Sequence, residues 1–120
     1  MRSISKSLLI VILLASLLIS CQSPSSLYEW RGYDDALYNY SQKRDEISKE
    51  KLIRVYEQII ANPGGTTQRV PPGVFADYGF LLLSSGNKTK GLEMLQKEIE
   101  LYPESKVFID RIIKRAENEK

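Results

Sequence analysis

The sequence predicts an all-α fold built of helical hairpins behind a separable N-terminal segment. Three observations predict it. From Trp30 to Ile113 apolar residues recur three and four positions apart, the period of one helix face. Pro and Gly collect where those runs stop, at Asn62-Pro63-Gly64-Gly65, Pro71-Pro72 and Gly86-Asn87. A continuous apolar run, Leu8–Ile19, stands apart at the N-terminus and stops just before the only cysteine, Cys21.

Arg2 and Lys6 are the only charges among the first twenty residues, and Leu8–Ile19 is apolar except for Ser16. A cationic start, a short apolar core and small residues at the exit make a secretory signal. The core is shorter than the roughly 20 residues that a membrane-spanning helix needs. A lone cysteine cannot form an internal disulfide; it can be a free thiol, an intermolecular bridge, a buried packing residue or a modification site. The ending Leu18-Ile19-Ser20-Cys21 resembles a bacterial lipobox. That resemblance implies acylation of the Cys21 thiol, cleavage before it and acylation of the new amine. One acyl chain binds a membrane only marginally, and stable anchoring takes more than one signal. Gln22, where Asp would mark retention, resembles the outer-membrane class of these signals. The expected organisation is a signal peptide at 1–20, a lipid-anchored tether at 21–26 and an α-helical domain at 27–120.

The chain carries 17 Lys+Arg against 15 Asp+Glu. Without Arg2 and Lys6 the balance is even. Nothing in it argues for nucleic acid or an anionic surface as a partner. About a hundred residues remain, enough for one small domain.

The elements follow in order. Ser26-Leu27-Tyr28-Glu29 fits a capping box that would open a first helix, with Trp30, Tyr33, Leu37 and Tyr40 on one face. Lys43-Arg44-Asp45 breaks it, and Asp45 can cap a second helix whose stripe is Leu52, Val55, Tyr56, Ile59 and Ile60. Glu46 and Glu50 face Lys49 and Arg54 on its solvated side. Asn62-Pro63-Gly64-Gly65 ends that helix, and Thr66–Val70 continues as loop. Pro71-Pro72 sets up a third helix, since Pro is tolerated in the first turn. Gly86-Asn87 turns the chain into a fourth. Glu104–Glu119 is a last, single helix with Val107, Phe108, Ile112 and Ile113 expected inward.

The stretch Pro72–Ser105, "PGVFADYGFLLLSSGNKTKGLEMLQKEIELYPES", resembles one tetratricopeptide repeat, a unit of about 34 residues. Phe75, Tyr78, Gly79 and Leu82 stand at the signature positions of its first helix, Gly91 and Leu95 on its second, and Pro103 closes it. Gly79 is expected to let two antiparallel helices approach closely, and Gly86 to make their turn. Two departures stand out. Gly91 replaces the usual Ala, and Glu98 puts a carboxylate where a small residue packs, which predicts looser or solvent-filled packing there. Tyr28–Pro63 looks like a degenerate copy, with Asp34 in place of glycine and a longer connection. The fold class is thus about two tetratricopeptide-like repeats plus a C-terminal capping helix.

"LYEWRGYDDALYNYSQ", "VPPGVFADYGFLLLSSGN" and "LYPESKVFIDRIIKR" together resemble a family of small uncharacterised bacterial lipoproteins with tetratricopeptide-like structure. Its members often neighbour genes for a lipoprotein resembling the curli secretion channel. The resemblance implies a shared outer-membrane assembly and carries no catalytic residue.

The chain has no His at all, which removes imidazole bases, His-based triads and most zinc sites. Asp34 and Asp35 are adjacent and point about 100° apart on a helix. "NPGGTT" lacks the Gly-Lys-Ser/Thr of a phosphate loop. Asn87-Lys88-Thr89 reads as a helix cap. No catalytic residue, metal site or cofactor is expected. In the repeat arrangement Arg31, Asp35, Tyr38 and Asn39 share an inner face with Ala76, Phe80 and Leu83. Repeat proteins commonly bind peptides or helices in such a groove. Either a partner fills it or the last helix covers it.

The expected function is therefore that of an outer-membrane-anchored, periplasm-facing lipoprotein without enzymatic activity. It would act as a protein-binding accessory or assembly factor, with a secretion-channel-like lipoprotein as the suspected partner and self-association as a further possibility. The alternatives are a pilotin-like escort and a scaffold associated with the cell envelope or peptidoglycan.

Overall fold

The computed structural model describes residues 25–118. The signal peptide at 1–20, Cys21 and most of the tether lie outside the described residues. Among the described residues five α-helices follow in order: α1 (Tyr33–Lys43), α2 (Glu46–Ala61), α3 (Val74–Ser84), α4 (Lys88–Leu101) and α5 (Lys106–Asn118). A 3-10 turn, Pro103–Ser105, joins the last two. Helices α1 and α2 pair as one hairpin, α3 and α4 as a second, and α5 packs on α4. The expectation of an all-α fold of helical hairpins is borne out.

Local chemistry sets the middle boundaries. Asp45 accepts from the Ser48 backbone N–H at 2.7 Å, which satisfies a donor the first turn of α2 cannot use internally. Hydrogen bonding from Ser48, through its hydroxyl first and its backbone N–H second, holds the Asp45 carboxyl below its ordinary value. Asn87 does the same for α4 through the Lys90 N–H at 3.4 Å. Lys49–Glu46 and Arg54–Glu50 pair along α2 at 2.7 and 3.8 Å, as their spacing predicts. Gly86 turns α3 into α4 with φ 84°, a backbone that disfavours any side chain.

The core lies between the hairpins. Leu52, Tyr56 and Ile59 of α2 meet Val74, Phe75, Tyr78 and Leu82 of α3. An aromatic series crosses from hairpin to hairpin: Trp30, Tyr33, Tyr56 and Tyr78, with successive ring centroids 5.5, 5.7 and 5.2 Å apart. These spacings suit edge and offset ring contacts. Tyr102, at the end of α4, is buried and donates its hydroxyl to the Val70 carbonyl at 2.6 Å, which ties the long loop down.

Four expectations are corrected. The Ser26–Glu29 capping box does not form, and α1 begins only at Tyr33, after Gly32 in the left-handed region. Residues 26–27 instead lie along the α2–α3 loop: the Thr66 N–H donates to Ser26 O at 3.0 Å and the Thr67 N–H to Leu27 O at 3.1 Å. Those carbonyls serve a loop forty residues away rather than a helix of their own. Gly65 permits the approach, since a Cβ there would stand 2.4 Å from Leu27 O. The inward stripe of α1 is accordingly Tyr33, Ala36 and Tyr40, while Trp30 and Leu37 are exposed.

The second correction concerns Pro71-Pro72, which precede α3 rather than open it; Gly73 is the N-cap residue, at φ 90°. The third is the phase of α5. Val107 and Phe108 face outward, 68% and 64% exposed, and the buried residue is Ile109, with Ile112 and Ile113 half-buried. The run 109, 112, 113, 116 is an equally good helical stripe, and packing chose it. The fourth is Glu98. It is 2% exposed in close packing, and no buried side-chain polar atom among the described residues lacks a partner.

Candidate functional site

Helix α3 carries more apolar residues than one face can hold. Tyr78, Gly79, Leu81 and Leu82 are buried, which leaves Phe80 outside at 59% exposure. Phe80 stands at a groove of about 540 Å³ between the α3–α4 turn and α5. Phe80, Leu83 and Gly86 form one side of it, and Ile112 and Ala116 of α5 the other, with Lys88 and Arg115 as its charged residues. Among the described residues no acidic one lines it. Phe108 lies one turn before Ile112 on α5, where side chains four apart are neighbours.

The seven residues expected to share one inner face are divided. Phe80 and Leu83 line this groove; Leu83 is half-buried, with its side chain against Gly91 of α4, while Phe80 stays open. Asp35 and Asn39 line a different cleft of about 420 Å³ between α1 and α2, with Ala36, Ile47 and Val55. Arg31 is engaged locally: its guanidinium donates to Asn62 O at 2.9 Å and pairs with Glu29 at 3.0 Å. Ala76 is half-buried, and its N–H donates to Glu98 Oε2 at 3.3 Å. Tyr38 stands 65% exposed on the outer side of α1. Cys21 lies outside the described residues.

The polar networks hold helices together. The Tyr78 hydroxyl donates to Glu57 at 2.8 Å, and Lys90 donates to Tyr78 at 2.9 Å and to Glu57 at 3.3 Å, which joins α2, α3 and α4. The Tyr78 bond, then Lys90, holds the Glu57 carboxyl below its ordinary value. A lysine beside a tyrosine can make an acid–base pair when it lowers the phenol. Here burial prevails and pushes Tyr78 up, so the hydroxyl stays a hydrogen-bonding clamp. Burial likewise raises Tyr33, whose hydroxyl donates to Asp77, and Tyr56 behind it.

Glu98 has a role that sequence reasoning missed. Its Oε1 accepts from the Gly73 N–H at 2.8 Å, so this α4 carboxylate caps the start of α3 from across the hairpin. Burial raises its pKa, although the Gly73 and Ala76 N–H groups pull the other way. A signal was available: glycine at an N-cap brings no side-chain acceptor, so another residue must supply one. Among the described residues no group of His, Cys, Asp and Glu could hold a metal ion, and no helix is long and apolar enough to cross a membrane.

Residues 27–112 match a family described as a domain of unknown function, DUF4810. The chain belongs to the DUF4810 family. The DUF4810 match begins at Leu27, on the segment bound to Thr67, and ends at Ile112, on the α5 wall of the groove. It therefore takes in both hairpins and the packed half of α5. No curated protein and no solved structure matches the chain.

Proposed function

We propose that this DUF4810 protein is a lipid-anchored outer-membrane lipoprotein, facing the periplasm, that works by binding protein. In this reading the hairpins are tetratricopeptide-like, Cys21 carries the anchor, and the domain is an accessory or assembly factor for a secretion-channel-like lipoprotein complex. The observation that carries the reading is Phe80, a large aromatic left open at the mouth of a groove that no acidic residue lines among the described residues. Exposed apolar surface of this kind marks interaction sites. The sequence has no His to support acid–base catalysis, which favours binding over an enzyme.

Two results test it. Cys21→Ser is expected to leave an uncut precursor that takes up no palmitate. Equal incorporation of radiolabelled palmitate by the variant would remove the anchor from the reading. Affinity purification of the full chain from detergent-solubilised native membranes is expected to recover a second lipoprotein with its own lipobox. Recovery of peptidoglycan fragments alone would favour the structural scaffold instead.

A further inference from the structure

The groove has a counterpart on the opposite end of the same chain. On α1, Tyr38 is 65% exposed, and Asp34 and Asp35 are both exposed as well. Residues three and four apart on a helix are neighbours, so Asp34 and Asp35 stand one turn before Tyr38, Asp35 at the edge of the α1–α2 cleft. This is an exposed aromatic knob with two negative charges one turn before it. The groove presents the complement: Phe80, Leu83 and Ile112 as an apolar floor, Lys88 in the lining, and no carboxylate among the described residues. Arg111 is exposed on α5, three residues beyond the open Phe108. Among the described residues neither Asp34 nor Asp35 has an ion pair, and neither Lys88 nor Arg111 has one.

The geometry points to head-to-tail self-association: the acidic, Tyr38-bearing face of α1 of one copy seats on the cationic α3–α5 groove of the next. Among the described residues the two surfaces lie on α1 and on α3–α5, with Tyr38 exposed on the one and Phe80 on the other. Because the surfaces differ, the contact is heterologous, and it propagates into a row or closes into a ring. An eleven-residue helix on a groove is a small interface, at the weak end of specific contacts. Association is therefore expected in the micromolar range and to weaken with salt, since screening acts on the charged rim. This inference deepens the proposed function, resting on its reading of the groove as a docking surface and not on the lipid anchor.

Charge exchange tests it. One variant of the full chain carries Asp34→Lys with Asp35→Lys, and a second carries Lys88→Glu with Arg111→Glu. Sedimentation in density-matched detergent is expected to show concentration-dependent oligomers for the natural chain and monomers for each variant alone. Mixing the two variants restores association, because each then offers the surface the other lost. Lysines at the start of α1 oppose the helix dipole, so helical content is checked by circular dichroism. Tyr38→Ser and Phe80→Ser, at open positions, serve as second variants that keep every charge and are each expected to weaken association at least tenfold. A natural chain that stays monomeric to about 100 µM, variants that still associate, or a mixture that fails to recover while the variants remain helical overturns the proposal. If Phe80→Ser instead abolishes recovery of a foreign lipoprotein from membranes while the natural chain is monomeric, the groove docks that protein. The proposed function then survives and self-association does not.

Discussion

Gly79→Leu is expected to unfold the domain or lower its melting temperature by tens of degrees. At Gly79 the backbones of α3 and α4 nearly touch. A Cβ there would stand 2.9 Å from Gly91 O and 3.0 Å from Leu95 Cγ. The first neighbour is backbone and cannot swing away, and Leu95 is wholly buried. A leucine therefore drives the hairpin apart. Overpacking in a closed core costs ~1–3 kcal/mol, and more where backbone must move. A small domain holds only about 5–15 kcal/mol in total, and each kcal/mol shifts melting by ~4–8 °C at this size. Thermal melting of the chain from Gln22 onward, followed by circular dichroism, reads the effect. An unchanged transition would mean the two helices do not meet at this glycine.

Gly91→Ala is the sharper companion. Alanine favours a helix over glycine by ~1 kcal/mol. In this chain a Cβ at Gly91 would stand 2.8 Å from Leu83 Cγ and 2.9 Å from Gly79 O. The clash outweighs the propensity, so the substitution is expected to destabilise. The paired glycines form one close contact, in which the oxygen of each lies where the other's side chain would be.

Glu98→Ala is the second large effect. It removes the acceptor for the Gly73 and Ala76 N–H groups at the start of α3 and leaves a cavity in a packed interior. An unsatisfied buried donor costs ~1–3 kcal/mol, and part of that is recovered here because the two donors are only half-buried. A net loss of about 2 kcal/mol is expected, read by urea titration. Glu98→Gln also loses stability, because one of the two amide positions is an NH2 that faces a donor. The pH dependence separates the two causes. Burial raises the Glu98 carboxyl above its ordinary 4.5, so the folded chain binds the proton more tightly than the unfolded chain. Its stabilising contribution is complete below the unfolded value and fades as pH rises through the raised one. Glu98→Gln should flatten that decline. A decline of equal slope in the variant would assign it to another group.

Within a turn or two of helix, the sequence alone settled most of this protein. Asp45 caps α2 because its acceptor lies three residues from the N–H it serves. Leu52, Tyr56 and Ile59 face inward because a 3.6-residue period leaves them one choice. Gly86 turns because no other residue type takes that backbone readily. Gly79 was readable as a close-approach glycine from its place in the hairpin pattern. Distant contacts decided the rest. Ser26–Glu29 is a sound capping sequence, yet the Ser26 and Leu27 carbonyls are held by Thr66 and Thr67, and a local pattern holds no information about that competition. In α5, Val107 with Phe108 and Ile109 with Ile112 are rival stripes of the same period; only docking on the second hairpin broke the tie. Glu98 reads as a misfit until the uncapped start of α3 is placed beside it. The expected inner face divided for the same reason: Asp35 and Asn39 turn with α1 toward α2, while Phe80 and Leu83 turn toward α5. Helix period and capping act within a few residues and are written in the chain. Which carbonyl meets which loop, and which of two equal faces is buried, are set by backbone groups that must be paired across the fold.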